Sequence, residues 1–307
     1  MTLDSHLFSN RILTEQINPK SLDLDSLSTF DIVKLFSEED LEPQKAVQKA
    51  IPDIVKAIDQ ITLRLRLEGR LFYIGTGTSG RLGILDAAEC PPTFCTSPDM
   101  IQGILAGGDQ AIKKSSENLE DSYTLAIKDL EIKNFSNKDV LIGISASGCT
   151  PYVLSALNYS NKKKALSISI SSVPKIDSDI VCDIDIRLLT GPEILAGSTR
   201  LKAGTATKMA LNIISTSVMI KLGKVYGNRM IDVSVSNNKL LRRALGILYD
   251  IASVKKEDAL RLLEQTNGSV KTSLLIALTD LSLENAKKLL EENDSNLRLA
   301  LKKTLNQ

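Results

Sequence analysis

Leu71-Phe72-Tyr73-Ile74-Gly75-Thr76-Gly77-Thr78-Ser79-Gly80-Arg81 decides the fold of this chain. An apolar, β-branched and aromatic run ends in three spaced glycines among hydroxyls, and the residues that follow read as helix. A second such stretch is Val140-Leu141-Ile142-Gly143-Ile144 entering Ser145-Ala146-Ser147-Gly148-Cys149-Thr150. A strand–loop–helix turn of this kind gathers backbone N–H groups and the positive helix end at one point. Glycine lets the backbone approach a ligand, and serine and threonine add donors for phosphate oxygens. Two such loops on neighbouring parallel strands describe a pocket for a phosphorylated small molecule.

From 71 to about 190, strand candidates at 71–75, 93–96, 139–145, 165–170 and 183–189 alternate with helices, notably 79–88 and 109–129. That alternation predicts an α/β fold, a doubly wound parallel sheet covered by helices on both faces. Ligands of such sheets sit beyond the carboxyl ends of the strands, where both loops fall. A third loop, Gly191 to Thr205, brings Ser198, Thr199, Arg200 and Lys202 to the start of a helix at 205–222.

Residues 1–50 read as an N-terminal helical segment, 51–235 as the α/β domain that carries the phosphate loops and 236–307 as a small helical bundle. Ser28 or Thr29 caps a helix with Asp31 in its first turn. The run Glu38-Glu39-Asp40 reads as a solvent-facing cap. Residues 44–68 read as one long amphipathic helix with Ala46, Val47, Ala50, Ile54, Ala57, Ile58 and Ile61 on one face. In the bundle, Ala259–Glu264 and Ala286–Glu291 echo each other, which suggests two similar hairpins. The Lys162-Lys163-Lys164 run reads as a solvated turn.

Composition narrows the chemistry. The chain has 307 residues, 43% hydrophobic and 24% charged, with a net charge of +1. That balance provides no electrostatic footprint for nucleic acid or an anionic membrane. Cys90, Cys95, Cys149 and Cys182 show no metal-ligand spacing and read as thiols of a reducing compartment. With no signal-like pattern and no stretch long enough to span a bilayer, the expectation is a cytoplasmic protein. The sole histidine is His6, so proton transfer in a pocket falls to carboxylates, lysine, tyrosine or cysteine.

Gly75, Gly77 and Gly80 also fit a dinucleotide fingerprint, with Asp99 near the right distance for a ribose carboxylate. Against it, the second and third hydroxyl-rich loops would have no task. Glu89, in Asp86-Ala87-Ala88-Glu89-Cys90-Pro91-Pro92-Thr93-Phe94, closes the helix that the first loop opens. A carboxylate there opposes the helix dipole, which makes a functional role worth weighing. Glu117, Glu120 and Asp121 follow on the next helix, without a sequence reason to choose among them.

These motifs together resemble the bacterial N-acetylmuramic acid 6-phosphate etherases, which carry a sugar isomerase (SIS) domain. The likeness rests on residues 75–81 and 86–94, Ala106-Gly107-Gly108, Leu119-Glu120-Asp121, Ser145–Gly148 and Thr150–Val153. It extends through Gly191–Lys208, Thr14-Glu15, Asn18-Pro19, Leu24–Thr29 and Asn267–Lys271, nearly the whole chain. Cys149 departs from it, standing where an arginine-like residue is expected. The resemblance implies cleavage of the lactyl ether of N-acetylmuramic acid 6-phosphate to N-acetylglucosamine 6-phosphate and D-lactate, with no metal or organic cofactor. By motif position, Glu89 is the acid/base residue and Glu120 the second catalytic carboxylate. Thr78, Ser79, Gly80, Ser145, Ser147, Gly148 and Thr150 hold the phosphate, and Glu193, Ser198, Thr199 and Lys202 contact and close over the substrate.

The alternatives are a sugar-phosphate isomerase and a non-catalytic sugar-phosphate-binding regulator. A homodimer is expected, with residues 1–50 and the helix at 44–68 in its interface. That segment is too polar to hold its own core, and the resemblance implies paired domains.

Overall fold

The computed structural model describes residues 12–114, 119–178, 180–233, 235 and 237–305. It divides into two compact units. One takes the chain through Ala88 and then Asp99–Ser215; the other takes Glu89–Pro98 and Thr216 onward. His6 lies outside the described residues.

The first unit opens with α1 (Thr29–Glu39), α2 (Glu42–Lys49) and α3 (Ile51–Arg66). Ser28 caps α1, its hydroxyl accepting from the Asp31 N–H, as its sequence suggests. The expected long helix at 44–68 is two helices. Pro52 lies in the first turn of α3 and has no N–H for the preceding turn, so the chain restarts at Ala50. Helix α3 buries Ile54, Ala57, Ile58, Ile61 and Leu65 within its own unit.

The sheet follows: β1 (Leu71–Gly75), α4 (Gly77–Phe94), β2 (Ile101–Leu105), α5 (Gly108–Lys113), α6 (Leu125–Ile132), β3 (Val140–Ile144), α7 (Pro151–Lys163), β4 (Leu166–Ser171), β5 (Ile184–Arg187) and α8 (Lys202–Lys221). Its five strands are parallel, in the order β2-β1-β3-β4-β5. Every residue of β1 and β3 is buried, the pattern of strands covered on both faces. On one face Phe72, Ile74 and Leu141 pack with Ala126 and Leu130 of α6 and Val153, Ala156 and Leu157 of α7. On the other, Tyr73 donates its hydroxyl to Asp86 of α4 at 2.8 Å, and Asn212 of α8 donates to the same carboxylate at 2.7 Å.

Two expectations fail instructively. Thr93–Thr96 is not a strand; α4 runs through Pro91 and Pro92 to Phe94, and Cys95, at φ +52°, ends it. Both prolines fall in the last turn, where few helical bonds remain to be lost. The true second strand, Ile101-Gln102-Gly103-Ile104-Leu105, has a glycine at its centre and so reads weakly. Gly103 is required there, because a Cβ would sit 2.6 Å from Ile84 Cα of α4. The expected helix at 109–129 is likewise two helices, α5 and α6.

The second unit holds a two-stranded hairpin, β6 (Val225–Tyr226) and β7 (Arg229–Met230). Among the described residues five helices follow: α9 (Asn238–Ala252), α10 (Lys256–Gln265), α11 (Val270–Thr279), α12 (Leu283–Glu291) and α13 (Leu297–Leu305). The echo seen in the sequence is structural: Ala259 and Leu263 of α10, and Ala286 and Leu290 of α12, enter one core at the same four-residue spacing. Among the described residues no helix is long and apolar enough to cross a membrane.

The starts of β1 and β3 are clamped by Asp139, which is 2% exposed. Its carboxylate accepts from Arg70 Nη2 at 2.8 Å, Arg70 Nε at 3.1 Å and the Arg70 N–H at 3.0 Å, and from Ser136. Burial alone would raise the Asp139 pKa, but the Arg70 guanidinium and the N–H donors outweigh it and hold the carboxyl below its ordinary value. Asp139→Asn removes a buried acceptor and leaves the half-buried Arg70 guanidinium without its anion, so it should destabilise the fold by about 1–3 kcal/mol at neutral pH. A depressed native pKa stabilises above the unfolded value near 4, and that contribution is lost as pH falls through the native pKa. Urea titrations of wild type and Asp139→Asn should therefore converge as pH drops below about 4.

Candidate functional site

The sheet order reverses between β1 and β3, which lie side by side with Gly75 opposite Ile144. The two hydroxyl-rich loops therefore leave adjacent strand ends at the topological switch point, where open α/β sheets bind ligands.

The first loop folds onto α4 through its glycines. A Cβ on Gly80 would lie 2.5 Å from the Gly75 carbonyl oxygen, so only glycine lets the helix start this close to the strand. Thr78 and Ser79 occupy the first turn, partly exposed, and Gly80 is buried. The Arg81 guanidinium is turned away from this turn. It donates to the carbonyls of Ala111 at 2.7 Å and Ile112 at 3.1 Å, closing the C-terminal end of α5.

The second loop is organised by Ser145. Its hydroxyl accepts from the Gly148 N–H at 3.1 Å and lies 2.8 Å from Thr150 Oγ1 and 3.5 Å from Ser147 Oγ. Gly148 has φ +69°, and a Cβ there would meet Ser178 Oγ at 2.8 Å. Thr150 is the N-cap of α7, yet its hydroxyl makes no cap bond to that helix. Three hydroxyls thus converge at a helix N-terminus, a donor set suited to a phosphate dianion. Cys149, where the sequence departs from the expected pattern, is exposed at the tip of this loop.

Glu89 is exposed, on α4. Glu120 is also exposed but lies in a turn rather than on a helix. Its carbonyl accepts the Tyr152 N–H at 3.0 Å. The N-terminus of α7 therefore fixes the main chain of Glu120 beside the second loop, while its carboxylate stays accessible. Asp121 is exposed, and Glu117 lies outside the described residues.

The third loop differs from expectation. Glu193 is buried, and its two oxygens accept the first N–H groups of α8, from Lys202 and Ala203, each at 2.9 Å. The anion at this helix N-terminus is therefore supplied by the protein. Burial raises the Glu193 pKa, against the pull of those two N–H groups. Lys202, expected at the substrate, is 1% exposed, with Nζ 2.6 Å from Glu39 Oε2. Ser198 and Thr199 remain partly exposed between these two anchors.

Glu39 corrects the reading of residues 38–40 as a solvated cap. It is buried, and it accepts from Lys202, from Lys20 Nζ at 2.7 Å and from Asn18 Nδ2 at 2.9 Å. Burial works against its ionised form, but these donors prevail and lower its pKa to about 2. Sequence reasoning missed it because a glutamate in an acidic run reads as surface. The available signal was Asn18, whose amide joins Glu39 to the carbonyl of Pro192.

The dinucleotide alternative fails on geometry. Asp99 precedes β2, at the end of the sheet opposite the loops, whereas a ribose carboxylate must follow that strand. Among the described residues, no three His, Cys, Asp or Glu side chains converge as a metal-binding group.

A family model for the glucokinase regulatory protein N-terminal SIS domain matches residues 53–161, and one for the C-terminal lid domain of that protein matches 227–271. Among solved structures, a phosphoheptose isomerase from Francisella tularensis aligns with a TM-score of 0.47 at 15% identity, over 63% of this chain and 100% of that one. Curated relatives are much nearer. The N-acetylmuramic acid 6-phosphate etherase of Prochlorococcus marinus strain NATL1A is 68% identical over 95% of this chain and 94% of its own length. That of strain MIT 9313 is 57% identical over 99% and 97%, and that of Synechococcus sp. strain CC9605 is 55% identical over 94% and 92%. With likeness of this degree running from end to end, the chain belongs to the N-acetylmuramic acid 6-phosphate etherase family.

Proposed function

We propose that this protein cleaves the lactyl ether of N-acetylmuramic acid 6-phosphate, releasing D-lactate and N-acetylglucosamine 6-phosphate, in the cytoplasm. The observation that carries the reading is the 68% identity over nearly the full length to an etherase of that name. The two hydroxyl-lined loops at adjacent strand ends supply what its phosphate needs.

In the open-chain sugar the C2 proton is acidified by the neighbouring aldehyde. A carboxylate removes it, the C3–oxygen bond breaks, and lactate leaves with the bonding pair and gains a proton. Water then adds across the C2–C3 double bond, its oxygen to C3 and a proton to C2. Every step is a proton transfer or a carbon–oxygen bond change, work that carboxylates perform. We assign the acid/base role to Glu89 and the second carboxylate role to Glu120. Thr78, Ser79, Gly80, Ser145, Ser147, Gly148 and Thr150 form the phosphate cradle, and Ser198 and Thr199 lie on the loop that closes the site.

The protein functions as a homodimer in this reading. Helix α3 packs one apolar face within its own unit, yet Ile51, Val55 and Leu63 remain exposed on it, as do Phe30 and Val33 on α1. Exposed apolar side chains at this density in one segment fit a protein interface.

Three outcomes follow. Glu89→Gln should fold normally and release lactate about 10²–10⁴-fold more slowly; activity within tenfold of wild type removes Glu89 from the chemistry. A wild type that binds the substrate without releasing lactate would favour the regulator reading. Ser79→Ala and Ser147→Ala should each weaken substrate binding by about 1.5–3 kcal/mol, roughly 10- to 150-fold in KM, with a smaller change in kcat. For the dimer, sedimentation velocity at micromolar concentration should show two copies in wild type and one in a Phe30→Glu/Val55→Glu variant. A monomeric wild type with full activity rejects the interface.

A further inference from the structure

A lysine and a glutamate from distant parts of the chain face each other in the first unit with side chains only 2% and 4% exposed, 2.6 Å apart. Burying such a pair costs several kcal/mol of desolvation per ion, and apolar replacements of similar volume are often as stable or more so. Stability alone is therefore a weak reason for Lys202 and Glu39 to be there. What they join is more informative.

Glu39 ends α1, and both of its oxygens are occupied: Oε1 by Lys20 Nζ, Oε2 by Lys202 Nζ and Asn18 Nδ2. Asn18 also donates to the Pro192 carbonyl at 3.3 Å, and the Ser21 hydroxyl donates to the Ile194 carbonyl at 2.7 Å. The N-terminal segment is thus bonded to the beginning of the third loop at two carbonyls. Lys202 sits at the far end of that loop, as the first residue of α8, where Glu193 also caps the helix. Ser198 and Thr199 hang between these fixed points. Two residues beyond Lys202, Gly204 faces the first loop, where a Cβ would stand 3.4 Å from both the Thr78 methyl and the Thr199 carbonyl oxygen. The first turn of α8 therefore faces the threonine that opens the phosphate cradle, with room for no more than a methyl group between Gly204 and Thr78.

We infer that the Glu39–Lys202 pair, with Asn18, is a positioning device for the substrate phosphate: it fixes the first turn of α8 against Thr78 and holds Ser198 and Thr199 at the site. Glu39 and Lys202 are positioning residues; neither touches substrate. The inference rests on the proposed function for the identity of the ligand and on the geometry for the coupling. A loosened cradle weakens ground-state binding of the phosphate while Glu89 keeps its chemistry, so KM moves and kcat moves much less. A purely structural pair would lower the melting temperature and the yield of folded enzyme and leave KM alone.

The test uses the full-length chain, with lactate release to give kcat and KM and titration calorimetry with inorganic phosphate as a second readout. Glu39→Gln should raise KM and the phosphate Kd about tenfold, with kcat within about threefold, because displacing a binding group by an ångström is costly. If the unpaired Lys202 prevents folding, Glu39→Leu/Lys202→Met removes both charges and should fold with a melting temperature near that of wild type. That double variant should still show the raised KM; a folded double variant with wild-type KM and phosphate affinity overturns the inference. Asn18→Ala, which leaves the ion pair in place, decides by the same criterion should neither charge variant fold. A wild type that binds phosphate without releasing lactate rejects the proposed function alone, and the phosphate titrations of the variants then judge the positioning role by themselves.

Discussion

The first N–H groups of a helix have no carbonyl behind them, and three helices that start at or near the carboxyl edge of this sheet meet that deficit differently. Helix α8 is capped from within, its first two N–H groups taken by the Glu193 carboxylate. Helix α7 is partly met by the Glu120 carbonyl, which accepts from Tyr152, while its N-cap hydroxyl turns to Ser145 instead. Helix α4 starts on glycine, threonine and serine, with its glycines pressed against the strand end. The positive ends of α4 and α7 thus open on adjacent strands, and that of α8 is neutralised. The proposed phosphate site lies at the first two, in keeping with this difference.

The sheet was legible because β1 and β3 are continuous apolar runs, as parallel strands covered on both faces must be, and because β4 and β5 place Leu or Ile at every second position. What escaped depended on packing. Gly103 weakens the apolar signal of β2, yet Ile84 leaves no room for anything larger. Pro91 and Pro92 read as a helix stop, but at the last turn they remove little hydrogen bonding and α4 passes them. The phosphate loops were readable because their chemistry is local: a strand, small residues and hydroxyls within ten positions. The Glu39–Lys202 pair joins residues 163 positions apart, and no local pattern announces such a contact.

The same residue type serves opposite ends here, and burial separates them. Glu39, Asp86, Asp139 and Glu193 are nearly inaccessible, and each accepts from donors on other elements. They bind the fold together: Asp139 the strand starts, Asp86 the helices α4 and α8 to Tyr73, Glu193 and Glu39 the third loop. Glu89 and Glu120 are exposed. A carboxylate that is buried and whose oxygens are taken up by donors of the fold cannot also reach a substrate to exchange protons with it. In a chain whose one histidine is His6, exposure is what keeps Glu89 and Glu120 available for the proton transfers that the proposed function assigns to them.

This division also explains why α8 must be placed so firmly. In the proposed function the sugar phosphate is held by loops that contribute hydroxyls and N–H groups; Arg81 and Lys202, two basic residues of the motifs, are turned to α5 and to Glu39. Neutral donors hold an anion well only when several converge on it at once, since each net hydrogen bond contributes little by itself. Convergence depends on position to within a fraction of an ångström. A cradle built of such donors would therefore place the demand on its scaffold, and buried ion pairs, rigid in geometry even where they add little stability, are suited to that demand.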